Sequence, residues 1–386
     1  MSAASAMAAG PVRMAMIGGG TGSFIGPVHR KAAALDGMIR LVAGAFSSDA
    51  ARNAETGRDL GLAPDRVYAG YDEMLAQEAA RPVGERPEFV AIVTPNHLHA
   101  PAALAAFRHG FPVLCEKPIA ASLAEAQAIR EAADDAGLRC GVTYTYQGYP
   151  LVHEARALVA SGVLGAVRRV MVSYTQGWLA EPIEQAGNRQ ASWRTAPQMA
   201  GLGGALGDIG VHAQNLAEYV AGSPIIELSA DIRTAVAGRA LDDDGAMLLR
   251  FADGARGTLV ASQVCAGDEN RLELRIHGER GSLHWEQESP NRLWHRPIDG
   301  PARLITANPD HLQDATAAAM LRLPGGHPEG YIEAFANLYR AFALSLRGDT
   351  AAAAIPGARE GERSMAFIEA ALDSSRAQGA WRRLPD

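Results

Sequence analysis

Lysine is nearly absent from this chain. Of its 36 basic residues only Lys31 and Lys117 are lysines, so Lys117 is not one of many interchangeable surface cations. Cysteine is scarce as well. Cys115, Cys140 and Cys265 are odd in number and widely spaced, which excludes a disulfide framework and a zinc spacing. Cys115 and Cys140 lie in apolar strand-like runs and read as small buried hydrophobes. The compartment expected from this usage is reducing and cytoplasmic. No apolar run approaches the roughly 18 residues of a membrane span. The first ten residues, MSAASAMAAG, lack a basic region followed by a sustained apolar core, so residues 1–10 read as a disordered leader. An excess of basic charge is also missing. The net charge of −7 and pI near 5.9 argue against a nucleic-acid-binding surface and for small-molecule partners.

What is present is length, glycine and alternation. At 386 residues the chain exceeds one ordinary core, and two domains are expected. Val12–Ile17 is a short apolar strand. It runs into Gly18-Gly19-Gly20-Thr21-Gly22-Ser23-Phe24-Ile25-Gly26, and a helix follows from Val28 to Leu35. Strand, glycine loop and helix form the context of a dinucleotide fingerprint, in which backbone N–H groups and the helix N-terminus receive a pyrophosphate. Gly18 and Gly20 supply the first two glycines. The third is Ser23 by strict spacing, or Gly26 with three extra residues in the loop, which is preferred because it leads straight into the helix.

Further strands are expected at Arg40–Phe46, Phe89–Val93, Val113–Cys115 and Arg139–Tyr144, with helices between them. The second strand ends in Phe46-Ser47-Ser48-Asp49. Asp49 is a ribose ligand or a helix cap. Ser47, Ser48 and Arg52 suit a 2′-phosphate equally well, so NAD and NADP both stay open, NAD being slightly favoured. Thr94, Asn96 and His99 follow the third strand, where open α/β sheets bind ligands; His97 reads as a cap or surface residue. This alternation predicts a doubly wound parallel sheet over residues 11–150.

From 151 to 386 the pattern changes to consecutive hairpins, at 227–236, 245–251, 257–264, 271–277 and 282–287. These predict an antiparallel sheet with helices, including Gly207–Val220, on one face. The other face is solvated or pairs with another subunit, so a homo-oligomer, dimer or tetramer, is expected. Residues 301–328 read as an irregular loop over a site, and helices follow at 331–346 and 360–376.

Asp208 and His212 stand four apart after a glycine-rich approach, so on a helix they share a face. A carboxylate and an imidazole so placed orient, hold or shuttle a proton; an ordinary surface pair is the alternative. Trp193 and Arg194 are either a packed aromatic with a snorkelling Arg or a substrate wall. Tyr144, Tyr146 and Tyr149 follow the last strand of the first half and offer aromatic faces to a sugar ring or to interdomain packing. His327 is a lid residue or part of a helix cap. Asp242-Asp243-Asp244 reads as a turn before a strand, and no metal site is expected.

With Gly18–Gly26, Thr94-Pro95-Asn96, Glu116-Lys117-Pro118 and Asp208-x-x-x-His212 present in that order, the chain resembles the glucose-fructose oxidoreductase/inositol dehydrogenase family, Gfo/Idh/MocA. The resemblance spans roughly residues 12–385. It departs from the commonest pattern in the longer glycine loop and at Phe46-Ser47-Ser48. It implies an N-terminal Rossmann domain and a C-terminal α/β domain with an open, mostly antiparallel sheet. It implies hydride transfer between nicotinamide and a ring hydroxyl of a sugar or inositol-type polyol. In that reading Lys117 hydrogen-bonds the reacting hydroxyl, His212 is the acid/base and Asp208 positions or polarises the site. Gly18, Gly20, Phe24, Ile25, Ser47, Ser48, Thr94, Asn96, His99, Glu116 and Lys117 would bind cofactor. Tyr146, Trp193, Arg194 and His327 would bind substrate. Two alternatives stay open: a glycoside-cleaving enzyme acting by transient ring oxidation, and a non-catalytic nucleotide-sensing protein on the same fold.

Overall fold

The computed structural model describes residues 10–349 and 355–385. Most of the expected leader, residues 1–9, lies outside the described residues. The chain divides into two compact units, Met1–Thr143 with Phe335–Glu362, and Tyr144–Ala334 with Arg363–Asp386.

The first unit alternates β1 (Val12–Gly18), α1 (Ile25–Leu35), β2 (Ile39–Ala45), α2 (Ala50–Asp59), α3 (Tyr71–Ala79), β3 (Phe89–Val93), α4 (His99–Arg108), β4 (Val113–Cys115), α5 (Leu123–Ala136) and β5 (Cys140–Val142). Its sheet is parallel in the order β2-β1-β3-β4-β5. β3 is buried throughout, as a strand covered on both faces must be, and its run Phe-Val-Ala-Ile-Val supplies nothing polar. Val67 adds one parallel bridge beside Gly44 at the β2 edge. The strand order reverses between β1 and β3. At that switch point the loops after the C-terminal ends of β1 and β3 lie side by side, where such sheets take ligands.

The second unit begins with α6 (Pro150–Ala160), β6 (Val167–Thr175) and α7 (Arg189–Arg194). A π-helical turn, Leu206–Gly210, then runs directly into α8 (Val211–Ala221). Strands β7 (Ile225–Arg233), β8 (Asp244–Phe251), β9 (Arg256–Ser262), β10 (Arg271–Gly278), β11 (Gly281–Glu286), β12 (Arg292–Pro297) and β13 (Arg303–Thr306) follow. After α9 (Ala315–Met320) come α10 (Tyr331–Leu346), which from Phe335 on belongs to the first unit, and α11 (Ala358–Arg376), which joins the second unit from Arg363, and the chain closes with β14 (Arg382–Arg383). The nine strands order as β13-β12-β11-β10-β6-β9-β8-β7-β14. Every pair is antiparallel except β6 with β9. Side chains alternate across the pleat, so Val170, Val172 and Tyr174 of β6 are buried while Arg169 and Met171 face outward. α8 packs on the buried side of β6, β9 and β10.

Residues 301–328, expected to be irregular, hold β13 and α9. β13 was hidden because its four residues are half or fully exposed and carry no apolar alternation. α9 starts on Asp314, whose carboxylate accepts from Thr316 N and Ala317 N. β12 was also missed by the sequence reading, although Leu293 and His295 alternate inward along it.

Candidate functional site

In the first unit the glycine loop is held by its own backbone and by side chains beneath it. Gly18, Gly19 and Gly22 adopt positive φ, open to glycine at little cost. A Cβ on Gly20 would lie 2.9 Å from Phe46 O. One on Gly26 would collide with the Gly19 backbone, so Gly26 makes the close loop–helix approach expected of the third glycine. Arg30 donates to Gly19 O at 2.6 Å, and Thr21 N donates to Thr56 Oγ1 at 3.0 Å. Phe24 at the loop tip is 60% exposed, and Ile25 opens α1.

After β2, Asp49 caps α2, accepting from Arg52 N at 2.8 Å. Ser47 Oγ accepts from Asp49 N, and Ser48 is exposed. The carboxylate is thus engaged with its own helix, as the capping alternative required.

After β3, Asn96 is buried in a short 3-10 turn and Thr94 is half-buried. The hydroxyls of Thr94 and Ser23 are buried without a hydrogen-bond partner in the protein, as is Nδ1 of His97, a residue the sequence reading set aside. Two orphaned hydroxyls beside a side-chain-free glycine cradle fit a polar dinucleotide. His99 is different. It is fully buried, with its ring nitrogens 2.8 Å from Pro118 O and 2.8 Å from Thr94 O. Burial lowers its pKa, opposed by those two carbonyls. It braces the loops after β3 and β4.

Glu116 also turns inward. His29 Nε2 lies 2.9 Å from its Oε1, Thr143 Oγ1 donates to the same oxygen at 2.5 Å, and Lys117 N donates to Oε2 at 3.2 Å. Burial pushes this carboxyl up, but the His29 bond and charge, Lys117 and Thr143 outweigh it and hold it at about 2. Glu116 is therefore a buried anion that fixes the strand end. Lys117 is half-buried at the same end, joined to Pro118 by a cis peptide bond. Burial raises the thiol of Cys115, and raises that of Cys140 to about 12.

In the second unit Asp208 sits on the π-helical turn and His212 begins α8. The turn is fixed from across the unit by Asp242, whose carboxylate accepts from Gly204 N at 2.7 Å and Leu206 N at 2.8 Å. The acidic run thus divides its labour. Asp243 caps Ala235 and Val236 and pairs with Arg239 at 3.2 Å, and Asp244 pairs with Arg233 at 2.7 Å. Asp208 Oδ2 accepts from Arg194 Nε at 3.2 Å and from Gln263 Nε2 at 2.8 Å. The Arg194 guanidinium lies over Trp193 at 4.2 Å and 5.9 Å from the Trp178 ring. Arg194, stacked on Trp193, therefore supports Asp208.

His212 is 7% exposed. The rings of Tyr146, Tyr144 and Tyr174 lie 4.8, 6.0 and 6.3 Å from it. Tyr146 and Tyr174 share a hydroxyl–hydroxyl bond, and Tyr174 also donates to Asn270 Oδ1 at 2.7 Å. Burial pushes Tyr146 up to about 12 and Tyr174 well up, so both stay neutral phenols near pH 7. His327 is exposed on a turn, its Nδ1 3.1 Å from Pro324 O. Gln263, Tyr174 and His29 were missed from sequence, since nothing in their local composition marks them, and Asp242 was read only as part of a turn before a strand.

Elsewhere, Glu273, His284 and Glu286 bring three ligating atoms within 4.8 Å of one another on β10 and β11. Arg271, at 2.6 Å, already neutralises Glu273. No described helix is long and apolar enough to cross a membrane.

Comparison with known proteins matches residues 12–144 to an oxidoreductase family with an NAD-binding Rossmann fold, and residues 152–284 to the GFO/IDH/MocA C-terminal domain. An uncharacterized oxidoreductase of Bacillus subtilis is 35% identical over 87% of this chain and 86% of its own length. Levoglucosan dehydrogenase of Pseudarthrobacter phenanthrenivorans is 31% identical over 59% of this chain and 66% of its own. Among solved structures, an inositol dehydrogenase homolog complexed with NAD+ from Azotobacter vinelandii superposes with a TM-score of 0.93. It is 36% identical and covers 97% of each chain.

Proposed function

The chain belongs to the GFO/IDH/MocA family of oxidoreductases, and we propose that it is an NAD(P)-dependent dehydrogenase of a sugar or inositol-type polyol. The observation that carries this reading is the anion–imidazole pair of the second unit. Asp208 is oriented by Arg194 and Gln263, and His212 is walled by three tyrosines.

The residues that would hold the cofactor are Gly18 and Gly20 with the N-terminus of α1 at the pyrophosphate, and Phe24 and Ile25 on the same loop. Ser47 and Ser48 would stand at the adenosine ribose, with Arg52 available to a 2′-phosphate. Thr94 and Asn96 would take the nicotinamide half. A cofactor held there would supply the hydride acceptor for the ring carbon. The chain's own residues handle the proton. An imidazole suits a base that takes a hydroxyl proton, and His212 fills that role. By the family resemblance Lys117 would hydrogen-bond the reacting hydroxyl, and an ammonium in that role stabilises alkoxide character. Asp208 supplies a fixed negative charge that favours the protonated imidazole once formed. Tyr146 and Tyr174, neutral and hydrogen-bonded, wall the imidazole from water. The relatives named for inositol and levoglucosan support a ring polyol as substrate, and the enzyme in this reading is cytoplasmic.

The test is reduced-cofactor formation on a panel of inositols, aldoses and glycosides, with NAD and NADP in parallel. Turnover on one polyol class, lost in Lys117→Ala and His212→Ala, is the expected result. Wild-type turnover in both variants would overturn the roles. Aglycone release without added cofactor would replace dehydrogenation by glycoside cleavage.

A further inference from the structure

Gln263 lies just beyond β9 and is 2% exposed. Its backbone is pinned on both sides, N donating to Asp243 O at 2.9 Å and O accepting from Leu179 N at 3.1 Å. The side-chain amide is therefore aimed by the sheet rather than by solvent. Nε2 donates to Asp208 Oδ2 at 2.8 Å and to Gln176 Oε1 at 3.2 Å. Both amide hydrogens are used. A flipped amide would set Oε1 against a carboxylate, so the chemistry of its neighbours fixes the orientation. The chain of bonds continues. Gln176 Nε2 donates to Asn270 Oδ1 at 2.7 Å, Tyr174 donates to the same oxygen, and Tyr174 is bonded to Tyr146. Three amides, Gln263, Gln176 and Asn270, thus link the Asp208 carboxylate to the ring wall of His212, and Gln263 is the one that touches the carboxylate.

We propose that Gln263 is a positioning residue for the reaction: it orients the Asp208 carboxylate and couples it to the tyrosine wall around His212. The proposal rests on the dehydrogenase reading given above. Arg194 and Gln263 meet the same oxygen with different effects. The guanidinium brings charge, while the neutral amide brings direction, because its second hydrogen is committed to Gln176. The titratable and charged groups facing this amide and its partner carboxylate are few. Among the described residues they include Arg194 from α7, Tyr174 from β6, Tyr146 from the turn before α6, and the Asp243–Arg239 pair beside its backbone.

The test is a double-mutant cycle. Gln263→Met keeps length and removes both donors. It is expected to lower kcat about 10-fold with KM for cofactor unchanged, and to cost less than about 2-fold when Asp208 is already Ala, because residues acting as a unit are not additive. In Gln263→Glu the new carboxyl shares a proton with Asp208. The ratio of its kcat to that of wild type is expected to rise as pH falls, which a packing role would not produce. Additive losses in the cycle, or a flat ratio, would overturn the proposal. The same cycle read by urea unfolding is expected to show about 10-fold coupling in the folding equilibrium between Gln263→Met and Asp208→Ala. If no polyol is turned over, the dehydrogenase reading fails. The unfolding cycle then still decides whether Gln263 holds Asp208, and additivity there would overturn it.

Discussion

Replacing Glu116 by Gln tests how the lysine-bearing strand end is held. In the native protein the carboxyl is drawn from an ordinary 4.5 to about 2. The group is buried, so the drop from 4.5 to about 2 converts to roughly 3–4 kcal/mol. The sign follows from the depressed value. Stability from the ionised Glu116 is fully present above the unfolded pKa of about 4.5 and is lost as pH falls towards 2. Gln carries no such dependence, although its amide would face the Lys117 N–H that now donates to Oε2. The assay is urea unfolding of both proteins across about pH 3 to 7. Wild type is expected to exceed Glu116→Gln by a constant margin above about pH 5. Below about pH 4.5 the gap should shrink by up to 1.4 kcal/mol per pH unit. A gap that stays constant down to about pH 3 would refute the claim that a buried, ionised carboxylate fixes this strand end.

Gly26→Ala would force a Cβ onto the Gly19 backbone. It should cost about 1–3 kcal/mol in thermal unfolding and weaken nucleotide binding measured by calorimetry. Ser23→Ala and Thr94→Val remove hydroxyls that are buried without a protein partner; each is expected to raise the Kd for NAD about 3–10-fold without lowering Tm, since no intramolecular bond is lost. At pH 8 a thiol reagent should leave Cys115 unmodified in the native protein, because it is fully buried and burial raises its thiol; all three cysteines should react in urea, and fast native labelling of Cys115 would contradict that burial.

The parallel sheet was legible because a strand covered on both faces must be apolar throughout, and Phe89–Val93 is. The outer sheet was legible where alternation was strong and obscure where strands were exposed, as at Arg303–Thr306. The fourfold spacing of Asp208 and His212 survived, but the π-helical turn beneath it did not show, since one wider turn leaves no mark in composition. The partners of the site residues were hidden for a different reason. Glu116 takes its inward role from His29, 87 residues away, and Asp208 takes its orientation from Gln263, 55 residues away. Asp49 shows the reverse case. Its capping role needs only Arg52 three residues on, and local sequence carried it.

The most direct measurement of the central claim is the fate of a ring hydrogen. A polyol found to be a substrate, deuterated at the reacting carbon, is turned over with NAD or NADP, and the reduced cofactor is weighed by mass spectrometry. Direct hydride transfer predicts one deuterium in the nicotinamide ring for each turnover. Deuterium lost to water, or retained in a product formed without net cofactor reduction, would contradict it.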